Sequence, residues 1–222
     1  MSGNTENEGK KNACERIHRI LERLPEHSSP DGDIPSNGLY FFYEDGEICP
    51  HTGKPRIVRV GNHPRSQNGL RNRLKMHYGG NKNSSVFRKF LGGAILRKRN
   101  PNYPCLQPGP GKGHWERQDE KTCELCRPIE NEVTELLKKN FKFRCVEIVD
   151  KDERNDMEKK LIATLSKCPQ CGPSNRWLGL WAYNEKVKSS GLWNSDYVDE
   201  PYEMTPSDLE KFEGYAKSGY NG

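Results

Sequence analysis

Two short β-prone runs, residues 38–43 (GLYFFY) and 56–61 (RIVRVG), flank a polar segment, 44–55, that holds Asp, Gly and Pro. Apolar runs on either side of turn-forming residues are the pattern of an antiparallel hairpin with a long connection. In a strand, alternate side chains share a face, which predicts Tyr40 with Phe42 and Arg59 with Ile57 rather than with Val58 and Val60. A tyrosine and an arginine on neighbouring strands can then face the same side. On the hairpin alone, a core tyrosine with an arginine snorkelling at its rim is the simpler reading.

The chain around the hairpin alternates helical periodicity with loops. Residues 1–11 are polar and read as disordered. Ala13, Ile17, Ile20, Leu21 and Leu24 recur at helical spacing up to Pro25, and 25–37 is a loop into the hairpin. After a loop at 62–69, residues 70–78 predict a short helix stopped by Gly79-Gly80, with Arg73 and His77 four apart on one face. A second helix is expected from Ser84 or Ser85 through Leu91, resuming after Gly92-Gly93 as Ala94–Leu96. Residues 97–128 carry Pro, Gly, Arg and Cys without periodicity and read as an insertion. A helix with Ile129, Val133, Leu136 and Leu137 follows, then the best-alternating strand, 141–149, then a helix at 154–165. The main domain is expected to run over 37–195, with an acidic tail at 196–222 holding one helix after Thr205-Pro206.

In the 154–165 helix Glu158 is out of place. Leu161, Ile162 and Leu165 lie three, four and seven positions on, so its carboxylate borders the apolar stripe. It must be solvated at the rim, paired, or bound to a metal, because burying it bare is costly.

No apolar run approaches the ~20 residues of a membrane span, and the polar start is not a secretory signal. Both place the protein inside the cell as an expectation, with the eight cysteines as thiols or metal ligands rather than disulfides. The net charge is only +5, yet no Asp or Glu occurs between Ile48 and Trp115 while fourteen Lys and Arg do. A polyanionic partner, with nucleic acid first, explains such a window because each cation near a phosphate releases condensed counterions. His63, Arg65, Arg71, Lys75, Arg88 and Lys89 are the candidate nucleic-acid contacts.

Cys123-Glu-Leu-Cys126 and Cys168-Pro-Gln-Cys171 have the knuckle spacing of a tetrahedral zinc site. Their separation exceeds that of ordinary zinc ribbons, so four reduced thiols are an equal alternative. Cys105 and His114 are substitute ligands, and Cys14, Cys49 and Cys145 read as structural.

In order, these elements resemble the GIY-YIG nuclease superfamily. Gly38-Leu39-Tyr40 matches its first motif and Arg59-Val60-Gly61, loosely, its second. Arg73 with His77, Glu158 with Leu161-Ile162, and Asn175 match the remainder. The resemblance covers roughly 37–195. It implies an α+β fold, a small mainly antiparallel three-stranded sheet flanked by helices. It also implies hydrolysis of DNA phosphodiesters with one divalent ion, Mg²⁺ or Mn²⁺, held by Glu158. Arg73 would stabilise the transition state, Tyr40 and His77 would activate water, and Asn175 would position phosphate. Arg59 stands where the family usually has a second tyrosine, and His63 is a candidate for part of the missing function. A zinc-stabilised nucleic-acid-binding protein that does not cut is the alternative.

Overall fold

Adjacent residues Phe41 and Phe42 belong to different cores. Strand β1 (Gly38–Ile48) sends Leu39, Phe41 and Tyr43 to one face and Tyr40 and Phe42 to the other, so each face gathers its own helical layer. In the computed structural model, which describes residues 3–63, 69–106, 115, 124 and 127–219, with side chains from Ala13 onward, β1 is the centre of the sheet. Its neighbours are β2 (Pro55–Gly61) and β3 (Phe141–Glu147), both antiparallel, in the order β2-β1-β3. The expected α+β architecture is present.

The register pairs Tyr40 with Gly61, Phe42 with Arg59, and Tyr43 with Ile57. One step on β1 thus spans two on β2, and Val58 is the extra residue of a β-bulge. The bulge corrects the facing expected from strict alternation. Ile57 and Val60 join the core of Leu39 and Phe41, whereas Val58 joins that of Tyr40 and Phe42. Arg59 stacks over Phe87 on this second side, 5.0 Å from the ring centroid. A bulge next to a site re-aims a side chain, and here the side chain is Arg59.

Helices α1 (Gly3–Glu22), α5 (Lys151–Ser166) and α7 (Pro206–Ser218) cover the Phe41 face. Helices α2 (Gly69–Gly79), α3 (Val86–Arg99) and α4 (Arg127–Asn140) cover the Phe42 face. Between α5 and α7 lies α6 (Glu185–Ser190). Thr205 opens α7 with a capping box to Asp208, and Phe212 packs 5.8 Å from Phe41, ring to ring. The segment beyond 195 is therefore part of the core rather than an appendage to it. Likewise α1 begins at Gly3, within the stretch expected to be disordered.

Helix α3 runs unbroken through Gly92-Gly93, contrary to the expected interruption. A Cβ at Gly92 would lie 2.0 Å from Cζ2 of Trp115, so glycine there admits the indole against the helix backbone. The Trp115 Nε1–H donates to Lys89 O at 2.8 Å, which docks this part of the insertion onto α3. Among the described residues no helix is long and apolar enough to cross a membrane.

Candidate active site

Gly38 and Gly61 bracket the tyrosine between them. Gly38 has φ +154°, and a Cβ there would fall 2.1 Å from Val146 O. A Cβ on Gly61 would fall 2.3 Å from the Tyr40 Oη, so the cross-strand partner of Tyr40 has to be glycine for the phenol to lie over it. Tyr40 is buried, and its Oη sits 2.8 Å from His77 Nε2.

His77 is buried on α2, and its other nitrogen, Nδ1, lies 2.7 Å from Ser85 Oγ. Ser85 is the N-cap of α3, and its oxygen accepts from the Arg88 N–H at 3.2 Å. Among the described residues the acceptor in reach of the Ser85 hydroxyl proton is then His77 Nδ1. We assign the tautomer on that basis: Ser85 donates to Nδ1, and Nε2–H donates to Tyr40 Oη. Burial, aided by Arg59, Arg73 and Arg88, holds the imidazole well below its usual pKa, so it is neutral near pH 7. The phenolic proton of Tyr40 is left free to point elsewhere.

Tyr40 borders a polar cavity of about 440 Å³ beside the outer edge of β2. Arg59 and Asn62 line it from β2 and the residue after it, Arg73 from α2, Lys89 from α3 and Glu158 from α5. Arg59 donates to Trp193 O and Arg73 to Ser84 O, the latter at 3.1 Å, so a backbone carbonyl anchors each guanidinium. Burial pushes the Glu158 carboxyl up to about 7, against the pull of Arg59, an Asn62 backbone bond and Arg73. Among the described residues no Lys or Arg nitrogen lies within 4.0 Å of that carboxylate. A half-buried carboxylate short of a cation, with Asp196 at the same cavity, is an oxygen set that fits a hard dication keeping most of its waters. Tyr40, Arg59, Arg73 and Glu158 are thus brought together, and His77 stands directly behind Tyr40.

Other expected residues lie elsewhere. Asn175 is exposed and away from the cavity, whereas Asn194 lines it. The Asn194 amide accepts from Val60 N at 3.1 Å and donates to Val60 O at 2.8 Å, which with Trp193 N–H to Val58 O closes the edge of β2. The resemblance alone assigns the closing Asn to Asn175, and nothing in the local sequence singles out Asn194 as its substitute. Asp196 and Asn62 were also missed, and nothing in their local sequence marks them.

His63 is buried and accepts the Gly38 N–H at 3.4 Å, which holds the start of β1 rather than facing the cavity. Arg88 is also buried, donating to His77 O, Glu130 and Thr134, so it ties α2 and α3 to α4 and is not presented to nucleic acid. Arg71 donates to Pro30 O and Gly32 O, and Lys75 is exposed 3.6 Å from Asp31. Arg65 lies outside the described residues, as do His114, Cys123 and Cys126.

The second knuckle pair, Cys168 and Cys171, does converge, but among the described residues it meets Cys14, His18 and His51, with Cys49 beside Cys171. This buried Cys/His cluster could hold zinc, and Cys14 and Cys49, expected to be structural, lie in it or beside it. Cys145 is apart from it, half-buried in β3, with its thiol pushed well up by desolvation.

Comparison with curated proteins returned no match, and neither did comparison with solved structures. A scan of protein families matched the GIY-YIG domain over residues 13–219, which takes in α1 and α7 as well as the sheet. With nearly the whole chain matched and the motif residues gathered at one cavity, the protein belongs to the GIY-YIG domain family, whose members are in general nucleases that use divalent metals.

Proposed function

We propose that the protein is a metal-dependent endonuclease that hydrolyses DNA phosphodiester bonds in the cavity at the β2 edge. The observation that carries this reading is the convergence of Tyr40, Arg59, Arg73 and Glu158 on one polar cavity from four different elements. Glu158 would hold Mg²⁺ or Mn²⁺, which when bound neutralises charge on the scissile phosphate and the leaving oxygen. Arg73, anchored by Ser84 O, keeps guanidinium N–H groups for the equatorial oxygens of an in-line transition state. Arg59 supplies a second fixed cation at the position of the family's second tyrosine.

Tyr40 orients the attacking water and, once its own phenolic proton has passed to solvent in the cavity, takes the water's proton as the phenolate. His77 favours this role by donating Nε2–H to the phenolic oxygen, which stabilises the phenolate until it takes that proton. His77 is then a positioning residue and not a proton acceptor. Asn194 acts through Val60, holding the strand that carries Arg59. DNA as the substrate is supported by the family and by the acid-free window, part of which, Arg73 and Lys89, lines the cavity.

The test compares nicking of supercoiled plasmid with binding of the same DNA. Arg73→Ala is expected to lower cleavage about 10²–10³-fold while binding changes by less than about tenfold, since a group aimed at the transition state contributes little to the ground state. Cleavage unaffected by Arg73→Ala would remove the assignment. Binding without cleavage in the wild type would favour a non-cutting nucleic-acid-binding protein, with Arg59 as the reason.

A further inference from the structure

Half of the eight cysteines and two of the six histidines of the chain meet at one place that shares no residue with the cavity. They arrive from three segments: Cys14 and His18 on α1, Cys49 and His51 in the β1–β2 turn, and Cys168 and Cys171 after α5. A single buried thiol behaves as a small hydrophobe and needs no partner. Four thiols and two imidazoles gathered from distant segments are not explained by packing.

We propose that this cluster is a structural zinc site whose four ligands are Cys14, His51, Cys168 and Cys171. Cys14 is the hub: its sulfur lies within 4.8 Å of the ligand atoms of His51 and Cys168 in one group, and of Cys171 in another. Zinc–sulfur bonds of about 2.3 Å put tetrahedral ligand atoms about 3.8 Å apart, so such pairs need to close by an ångström or less. His51 points Nε2 at the Cys168 sulfur, 3.1 Å away. Cys168 and Cys171 have the two-residue spacer that lets adjacent sulfurs bind one ion.

The other two candidates are accounted for differently. Both His18 nitrogens are engaged, Nδ1–H donating to Cys14 O at 2.9 Å and Nε2 accepting from Ile57 N–H at 3.2 Å. His18 thus fixes the start of β2 against α1 and has no lone pair to give. Cys49 lies outside both close groups. Its backbone forms the turn, N–H to Lys54 O at 2.8 Å and O from Gly53 N at 2.9 Å, with Gly53 at φ +69°, and that turn folds His51 back over α1.

Three thiolates and one imidazole are a borderline-soft set that suits Zn²⁺ and not Mg²⁺ or Ca²⁺, and four protein ligands leave no open position for catalysis. Three thiols release their protons to solvent on binding, and His51 binds as the neutral ring. The ion ties α1, the tip of the hairpin that carries Tyr40 and Arg59, and the end of the helix that carries Glu158. Its presence does not depend on the nuclease reading.

The experiment is metal analysis of the full chain prepared without a polyhistidine tag, followed by Co²⁺ replacement. About one zinc per chain is expected, and the Co²⁺ form should show the intense visible bands of tetrahedral geometry with thiolate charge-transfer absorption. Cys14→Ser and His51→Ala should each lose the zinc, while Cys49→Ala and His18→Gln keep it. The wild-type cobalt spectrum stands even if a ligand variant fails to fold. A wild-type chain that neither carries zinc nor takes up Co²⁺ would overturn the site. Zinc lost in Cys49→Ala but kept in His51→Ala would overturn the ligand set.

Discussion

Ser85 does two jobs with one oxygen. It caps α3 and, through its proton, sets which nitrogen of His77 carries the hydrogen that Tyr40 receives. Ser85→Ala removes both, so we expect about 1 kcal/mol lost from the cap and a nicking rate down about tenfold to a hundredfold from the freed imidazole. DNA affinity should be unchanged, and Ser85→Thr, which restores cap and donor, should recover most of the rate. A rate that stays low in Ser85→Thr would show that packing at Ser85, and not the hydroxyl, matters. Glu44 offers a test by pH. Burial pushes its carboxyl from the ordinary 4.5 up to about 7, although the Trp177 and Trp193 indoles each donate to it at 3.0 Å. Between these values the folded chain keeps a proton that the unfolded chain has released, so Glu44 makes stability fall as pH rises through the window. Glu44→Gln should therefore match the wild type near pH 5 and exceed it near pH 8 by on the order of 2 kcal/mol, read from unfolding curves at each pH. Tyr40, Arg73, His77 and Glu158 were all legible in the sequence, because a motif or a helical spacing exposes each of them. Asn194 was not, since its function lies in pairing with Val60, a partner more than a hundred residues away.

At the scale of elements, the hairpin and the order of helices could be read from apolar periodicity, but two features could not. The bulge at Val58 depends on how β2 pairs with β1, and no local pattern records that register. The continuity of α3 through Gly92-Gly93 depends on Trp115, and propensity alone reads two glycines as a break. Gly92→Ala should force the indole off the helix and destabilise the protein by about 1–3 kcal/mol. In a Trp115→Ala background the same change should be neutral or stabilising, a coupling that a double-mutant cycle of unfolding free energies measures. Equal effects in both backgrounds would mean that Trp115 does not set the need for glycine.

For the whole molecule, a central sheet with one core on each face makes the acid-free window mean less than its sequence suggests. Arg56 is buried against Glu47 at 2.8 Å, Arg88 against Glu130 at 3.0 Å, and Arg71 is spent on two carbonyls of the preceding loop. These acids lie outside the window in sequence and beside it in space, which composition could not reveal. Fourteen phosphate contacts would give a log–log salt slope near −13. We expect a much shallower slope from DNA-binding anisotropy across salt concentrations; a value near −13 would mean that the internal pairs open on binding. The two-sided core also makes α7 indispensable, because Leu209, Phe212 and Ala216 complete the Phe41 face. The central claim, that this fold brings Glu158 to Tyr40, Arg59 and Arg73 as a nuclease site, is tested most directly by Mg²⁺-dependent plasmid nicking by the wild type beside Glu158→Gln. Gln keeps the shape and removes the charge, so cleavage present in the wild type and lost in the variant, with DNA binding retained in both, is the predicted result. Equal cleavage by the two proteins would contradict it.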